Sequence, residues 1–186
     1  MKKWLIGALI VVAFILFAGS CDNSKNNNSP NNPFTEPGVA DAIMTKLKNH
    51  GVLKGHNLKV SFVKIDFKDG NPNPWIQCYL KRGTEDKIFI FTYQGGKWFG
   101  DEDTSLTKNS PYKIFFDLNS IDFKKLPDMT KALEKKYNNV EPIKNYSVGY
   151  YVSPYGYGQI ASMELSTTSD KLRSTHFDFH GNLKKY

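Results

Sequence analysis

The segment His176-Phe177-Asp178-Phe179-His180 gathers more chemistry-bearing side chains than any other stretch of the sequence. Read as a strand, it places His176, Asp178 and His180 on one face and both phenylalanines on the other. Alternate positions of a strand lie ~6.6 Å apart, near enough for such side chains to share a metal such as zinc. The competing assignment is a solvated polar face opposite two core phenylalanines, and the polar-outside habit of half-buried strands favours it. Asp101-Glu102-Asp103 offers three carboxylates without the twelve-residue spacing of a calcium loop, so a solvated loop is expected there. Cys78 sits in Trp75-Ile76-Gln77-Cys78-Tyr79-Leu80 and shares a strand face with Ile76 and Leu80. No histidine or cation adjoins it in sequence to lower its pKa, so it is expected to be a buried, inert thiol. The sequence has no Gly-x-Ser-x-Gly elbow, no His-Glu-x-x-His and no phosphate loop. No catalytic residue is assigned, and the expectation is a protein that is not an enzyme.

The aromatic residues suggest binding instead. Tyr146, Tyr150, Tyr151, Tyr155 and Tyr157 fall close together, interleaved with Gly149, Pro154, Gly156 and Gly158. Tyrosine beside small residues is the composition of loops that grip proteins, because it brings a large amphipathic surface at small entropic cost. Tyr146 and Tyr150 are expected to face the core. Tyr151, Tyr155 and Tyr157, joined by Trp75 from an equivalent loop, are the candidate protein-binding residues.

Those side chains need elements to hold them. Val39, Ile43, Met44 and Leu47 recur at helical spacing, as do Leu126, Met129, Leu133 and Tyr137, so helices are expected over 39–50 and 126–137. Pro127 suits a first helical turn. After each helix the chain alternates as strands do, through Asn57 to Val63 and Asn145 to Tyr151, then turn-rich stretches and further strands. Tyr112 to Leu118 is rich in β-formers and should add a strand to one sheet or bridge two. The expected fold class is α+β: two similar helix-strand-strand-strand repeats, 38–111 and 112–186, with helices packed on one face of antiparallel sheet. This order, with the Phe177-Asp178-Phe179-His180-Gly181-Asn182-Leu183-Lys184 ending, resembles the PepSY-like and β-lactamase-inhibitor-like group of small exported bacterial domains. The resemblance implies binding or inhibition of other proteins.

Met1, Lys2 and Lys3 precede the uncharged run Trp4 to Ala18, and Gly19, Ser20 and Cys21 follow. A charged head, a short apolar core and small residues before a cut make an export signal over 1–20. Ala18, Gly19 and Ser20 ahead of Cys21 resemble the lipobox of bacterial lipoproteins, in which the cysteine thiol carries diacylglycerol. The resemblance implies a covalent lipid on Cys21, with two or three chains giving a stable membrane anchor. Residues 21–37, Asn/Ser/Pro-rich after the cysteine and with one large apolar side chain, Phe34, are expected to form a flexible linker.

The chain counts 25 Lys and Arg against 18 Asp and Glu. Removing the signal with Lys2 and Lys3 leaves 23 against 18, a modest surplus concentrated on the helix around Lys124, Lys125, Lys131, Lys135 and Lys136. Export makes nucleic acid an unsuitable partner, and the expected location is the cell envelope, facing the periplasm or exterior. The expected function is a membrane-anchored binding module for an exported protein or an envelope component. The alternative is a small-ligand or metal-binding lipoprotein using the His176, Asp178 and His180 face.

Overall fold

A computed structural model describes residues 31–102, 114–153 and 157–185. The signal segment, Cys21, Asp103, Tyr112 and Tyr155 lie outside the described residues.

The described residues form one antiparallel sheet of eight strands. In chain order the elements are α1 (Val39–Lys48), β1 (Leu58–Lys68), β2 (Trp75–Arg82), β3 (Phe89–Gln94), β4 (Lys97–Glu102), β5 (Phe116–Asp117), α2 (Leu126–Lys136), β6 (Ile143–Val152), β7 (Gln159–Thr167) and β8 (Leu172–Phe177). Across the sheet the order is β4-β3-β2-β1-β6-β7-β8, and β5 pairs with β1 beyond the point where β6 leaves it. Short 3-10 turns at Gly51–Leu53, Leu118–Ser120 and Phe123–Lys125 join the longer elements.

Two similar helix-strand-strand-strand repeats are therefore not the architecture of this chain. The first half contributes four strands, because Gly95 and Gly96, with φ of 58° and 84°, turn the chain tightly and return it as β4. Asp101 and Glu102, expected in a loop, belong to that strand and stand opposite Ile90 and Phe89. The halves also have no boundary within the sheet. β1 and β6 are hydrogen-bonded neighbours at its centre, in register from Phe62 opposite Tyr151 to Lys68 opposite Asn145. Hydrophobic burial closes over this long-range pairing, so a single core replaces two small ones, each of which would be marginal alone. The repeat order also carried the PepSY-like resemblance.

Both helices form where the apolar spacing puts them, and the reason is visible at their ends. Asp41 and Asp128 occupy first turns, while Lys46 and Lys48, and Lys135 and Lys136, occupy last turns, each sign opposing the helix dipole. Ala40, Ile43, Met44 and Leu47 of α1 and Leu126, Met129 and Leu133 of α2 are buried in one core with Val63, Ile65, Ile76, Cys78, Phe91, Val148, Tyr150, Met163 and Phe177 of the strands. Tyr146 and Tyr150 face this core, as expected. Cys78 is fully buried and unpaired, and burial pushes its thiol well above the ordinary range, which keeps it protonated.

The linker expected over 21–37 ends earlier than its composition suggests. Asn32, Pro33 and Phe34 are buried, the Phe34 ring stacks on Tyr146 at 5.2 Å, and Asn32 Oδ1 accepts from the Phe34 backbone N–H at 2.9 Å. Asn31 donates its backbone N–H to Pro72 O at 3.3 Å. The folded body therefore includes residues 31–37.

At the far end of β6, Glu141 accepts from Lys171 and Ser169 across the turn that joins β7 to β8. These bonds, the Lys171 one foremost, hold its carboxyl down at about 2 against an ordinary 4.5. A carboxylate depressed on folding stabilises the native state above its unfolded pKa and loses that contribution as pH falls through the folded one. Urea midpoints should therefore drop more steeply between about pH 5 and pH 2 in the native chain than in Glu141→Gln. Parallel slopes in the two proteins would remove this side chain from the acid response.

Candidate aromatic binding face

Alternation along the central strands sends their apolar residues into the core and leaves a second face on the opposite side. On β1 the phase is reset by a bulge between Val60 and Phe62, which buries both Val60 and Ser61 and turns Phe62 outward. Beyond it, Phe62, Lys64 and Asp66 share the second face with Trp75, Gln77 and Tyr79 of β2 and with Ser147, Gly149 and Tyr151 of β6.

Register assembles the aromatics. Phe62 stands opposite Tyr79 on one side and Tyr151 on the other, with ring centroids 5.9 Å and 6.4 Å away. Gly149 lets the Phe62 ring lie down along the sheet: a Cβ built there would meet Phe62 Cε2 at 3.3 Å, tighter than ordinary contact. Lys64 Nζ sits 5.7 Å from the centre of the Trp75 ring and 2.8 Å from Asp66 Oδ2, so the cation beside the indole is itself held by a carboxylate. Tyr79 donates its hydroxyl to Gln77 Oε1 at 3.1 Å. All four aromatic side chains are half-buried, with one surface packed on neighbours and the other turned away from the core.

Two of the four candidates from sequence, Trp75 and Tyr151, thus stand on one face, together with Phe62, which packs against Tyr151, and Tyr79, neither of which the sequence singled out. The missed signal was the pairing register, which puts Phe62 between two tyrosines from strands far apart in sequence. Tyr157 is exposed and lies past the end of β6, where Ser153 N donates to Gly158 O at 2.8 Å across the hairpin loop.

The His176, Asp178 and His180 set is not assembled as a ligand cluster. β8 ends at Phe177, but alternation of burial runs on: Phe177 and Phe179 are both in the core and His176, Asp178 and His180 are not, which is the polar face opposite two core phenylalanines. Asp178 caps the following turn: its Oδ1 accepts from the backbone N–H groups of His180 and Asn182, and its Oδ2 accepts from Asn182 Nδ2. Partial burial raises the Asp178 pKa, but those bonds outweigh it and leave a net lowering. His180 rides the turn tip, while His176 points to the second face opposite Ser162. Among the described residues, no group of three or more His, Cys, Asp or Glu is placed to hold a metal.

Family models, curated proteins and solved structures were compared with the chain. It matches none of them. Function therefore rests on the geometry of the face and on the sequence around Cys21.

Proposed function

We propose that this protein is an exported, lipid-anchored binding module, not an enzyme, and that it holds an exported protein or envelope component on the face built by Phe62, Trp75, Tyr79 and Tyr151. The observation that carries this reading is the in-register row Tyr79-Phe62-Tyr151, with Trp75 further along the same face, on the side of the sheet away from the core. Rigid, braced aromatics supply contact area without paying much ordering entropy, and a few such anchors dominate most protein interfaces. The lipobox-like Ala18-Gly19-Ser20-Cys21 supports anchoring through a lipid on Cys21.

A photo-crosslinking side chain at Tyr79, with a matched control at Lys131 on the exposed side of α2, tests the face in the cell. A discrete adduct is expected from position 79 alone. Adding Trp75→Ala and Tyr151→Ala should reduce it at least tenfold, the loss expected from two hot-spot truncations of ~1 kcal/mol or more each. The same adducts from both positions, or an adduct indifferent to the double substitution, would overturn the assignment. In the same cells Cys21→Ser should move the protein from the membrane to the soluble fraction, and retention on membranes would remove the anchor.

A further inference from the structure

A cavity of about 410 Å³ opens at the β8 edge of the sheet, at the opposite end from β4. Lys136 from the last turn of α2, Ser174, Thr175 and His176 from β8, and Lys184 and Lys185 from the C-terminal tail form its walls. Three of the lining residues are lysines, and no Asp or Glu is among them.

The walls are held in place by hydrogen bonds. Phe177 and Leu183 form a β-bridge, and Lys184 donates its backbone N–H to His176 O at 2.9 Å, which fixes the tail along the strand edge. Tyr137 donates its hydroxyl to Ser174 O at 2.9 Å and Lys136 Nζ donates to Thr175 Oγ1 at 2.9 Å, which fix the helix end. Lys184 Nζ donates to Tyr157 O at 2.7 Å. Arg173 adds a further positive charge alongside, its guanidinium 5.2 Å from the Tyr137 ring on which Lys136 also rests at 5.3 Å. Like charges gathered in this way repel one another, and that repulsion rises as water is displaced. An anion in the cavity would relieve it.

We infer that this cavity binds a phosphate group carried on a small polar molecule. Lysines are suited to phosphate as compact multi-donor charges, and the Thr175 hydroxyl, beside the Lys136 ammonium, adds a neutral donor. The volume falls in the range of ~300 to 1,000 Å³ usual for small-molecule sites, which leaves room for the group that bears the phosphate. Leu183 supplies an apolar wall for that group. The phosphate can belong to an anionic lipid headgroup or to a soluble organophosphate, since the recognising chemistry is the same. No residue of the aromatic row takes part, so this site stands or falls separately from the proposed binding face.

The test uses the full chain in two arms: calorimetric titration with glycerol 3-phosphate, and sedimentation with vesicles of phosphatidylglycerol compared with phosphatidylcholine. Saturable binding is expected in at least one arm. Binding to glycerol 3-phosphate alone assigns a soluble ligand, and preference for phosphatidylglycerol vesicles assigns a headgroup. In the arm that responds, Lys136→Ala with Lys184→Ala and Lys185→Ala should weaken binding at least tenfold. A charge-matched control, Lys46→Ala with Lys97→Ala and Lys131→Ala at exposed positions away from the cavity, should stay within about twofold. If the cavity variant fails to fold, Lys185→Glu at the exposed tail carries the same expectation of weakened binding. Equal losses in the cavity and control variants, or no saturable binding in either arm, would overturn the site.

Discussion

Phe34→Ala should destabilise the fold by about 3 to 5 kcal/mol, the range for truncating a fully buried aromatic ring. The ring is 0% exposed and stacks on Tyr146, which itself packs against Phe67 at 6.1 Å. Its removal leaves a cavity where the N-terminal segment meets β6 and β1, and the neighbours are too well packed to collapse into it. A domain of this size has only ~5 to 15 kcal/mol of stability to lose. In urea unfolding the midpoint should fall sharply with little change in slope, whereas Thr35→Ala at the exposed neighbour should shift it by less than ~0.5 kcal/mol. A Phe34→Ala loss below about 1 kcal/mol would mean that residues 31–37 do not belong to the core. Pairing it with Tyr146→Leu adds a sharper check, because stacked rings should show coupling beyond the sum of the single changes.

The sequence and the fold agree where periodicity is local and part where it is not. The apolar spacing of 39–48 and 126–136 is a property of one helix face each, so both helices and their buried residues were legible. Phe34 was not, because a single aromatic among Asn, Ser and Pro has no neighbours at a repeating interval and reads as linker. β4 was hidden by the Gly95-Gly96 pair, which resembles the end of a meander as closely as it resembles a tight hairpin turn. Pairing of β1 with β6 leaves no local trace at all, yet it converts two expected repeats into one sheet.

The candidate residues divide in the same way. Trp75 and Tyr151 were legible from composition, since large amphipathic side chains near turns carry their own signal. Phe62 and Tyr79 were not, because their role depends on strand register and on the Val60–Phe62 bulge. Alternation did suggest His176, Asp178 and His180 as one face opposite two core phenylalanines, and burial follows it through Phe179, but the strand pairing that would keep the three side chains in line stops sooner. Asp178 ends β8 by taking up the N–H groups of His180 and Asn182, and Gly181, at φ of 80°, completes the turn. The basic cavity at the same strand drew Lys136 from a helix whose lysines had read as one wet face, and Lys184 and Lys185 from a tail with no pattern to read.

Gly100→Ala should cost about 1 to 3 kcal/mol, the usual penalty for overpacking a dense interior, at a position that is itself exposed. A Cβ built on Gly100 would lie 2.4 Å from Cδ1 of Phe91 and 2.5 Å from its Cγ, well inside van der Waals contact. The ring stands directly opposite on β3 and cannot swing aside: Phe91 is 1% exposed and meets the His50 ring edge-on at 5.1 Å. The β4 backbone must give way instead. That strand is an edge, held by β3 on one side and tied to α1 by Trp98, whose indole N–H donates to Ile43 O at 3.1 Å. The expected result is therefore local as well as global, with amide exchange along 97–102 accelerating more than in β6 at the centre of the sheet. Phe91→Leu in the Gly100→Ala background should recover part of the loss by making room for the methyl group, even though Phe91→Leu alone is destabilising. Simple additivity of the two changes would show that the ring and the glycine are not a packed pair.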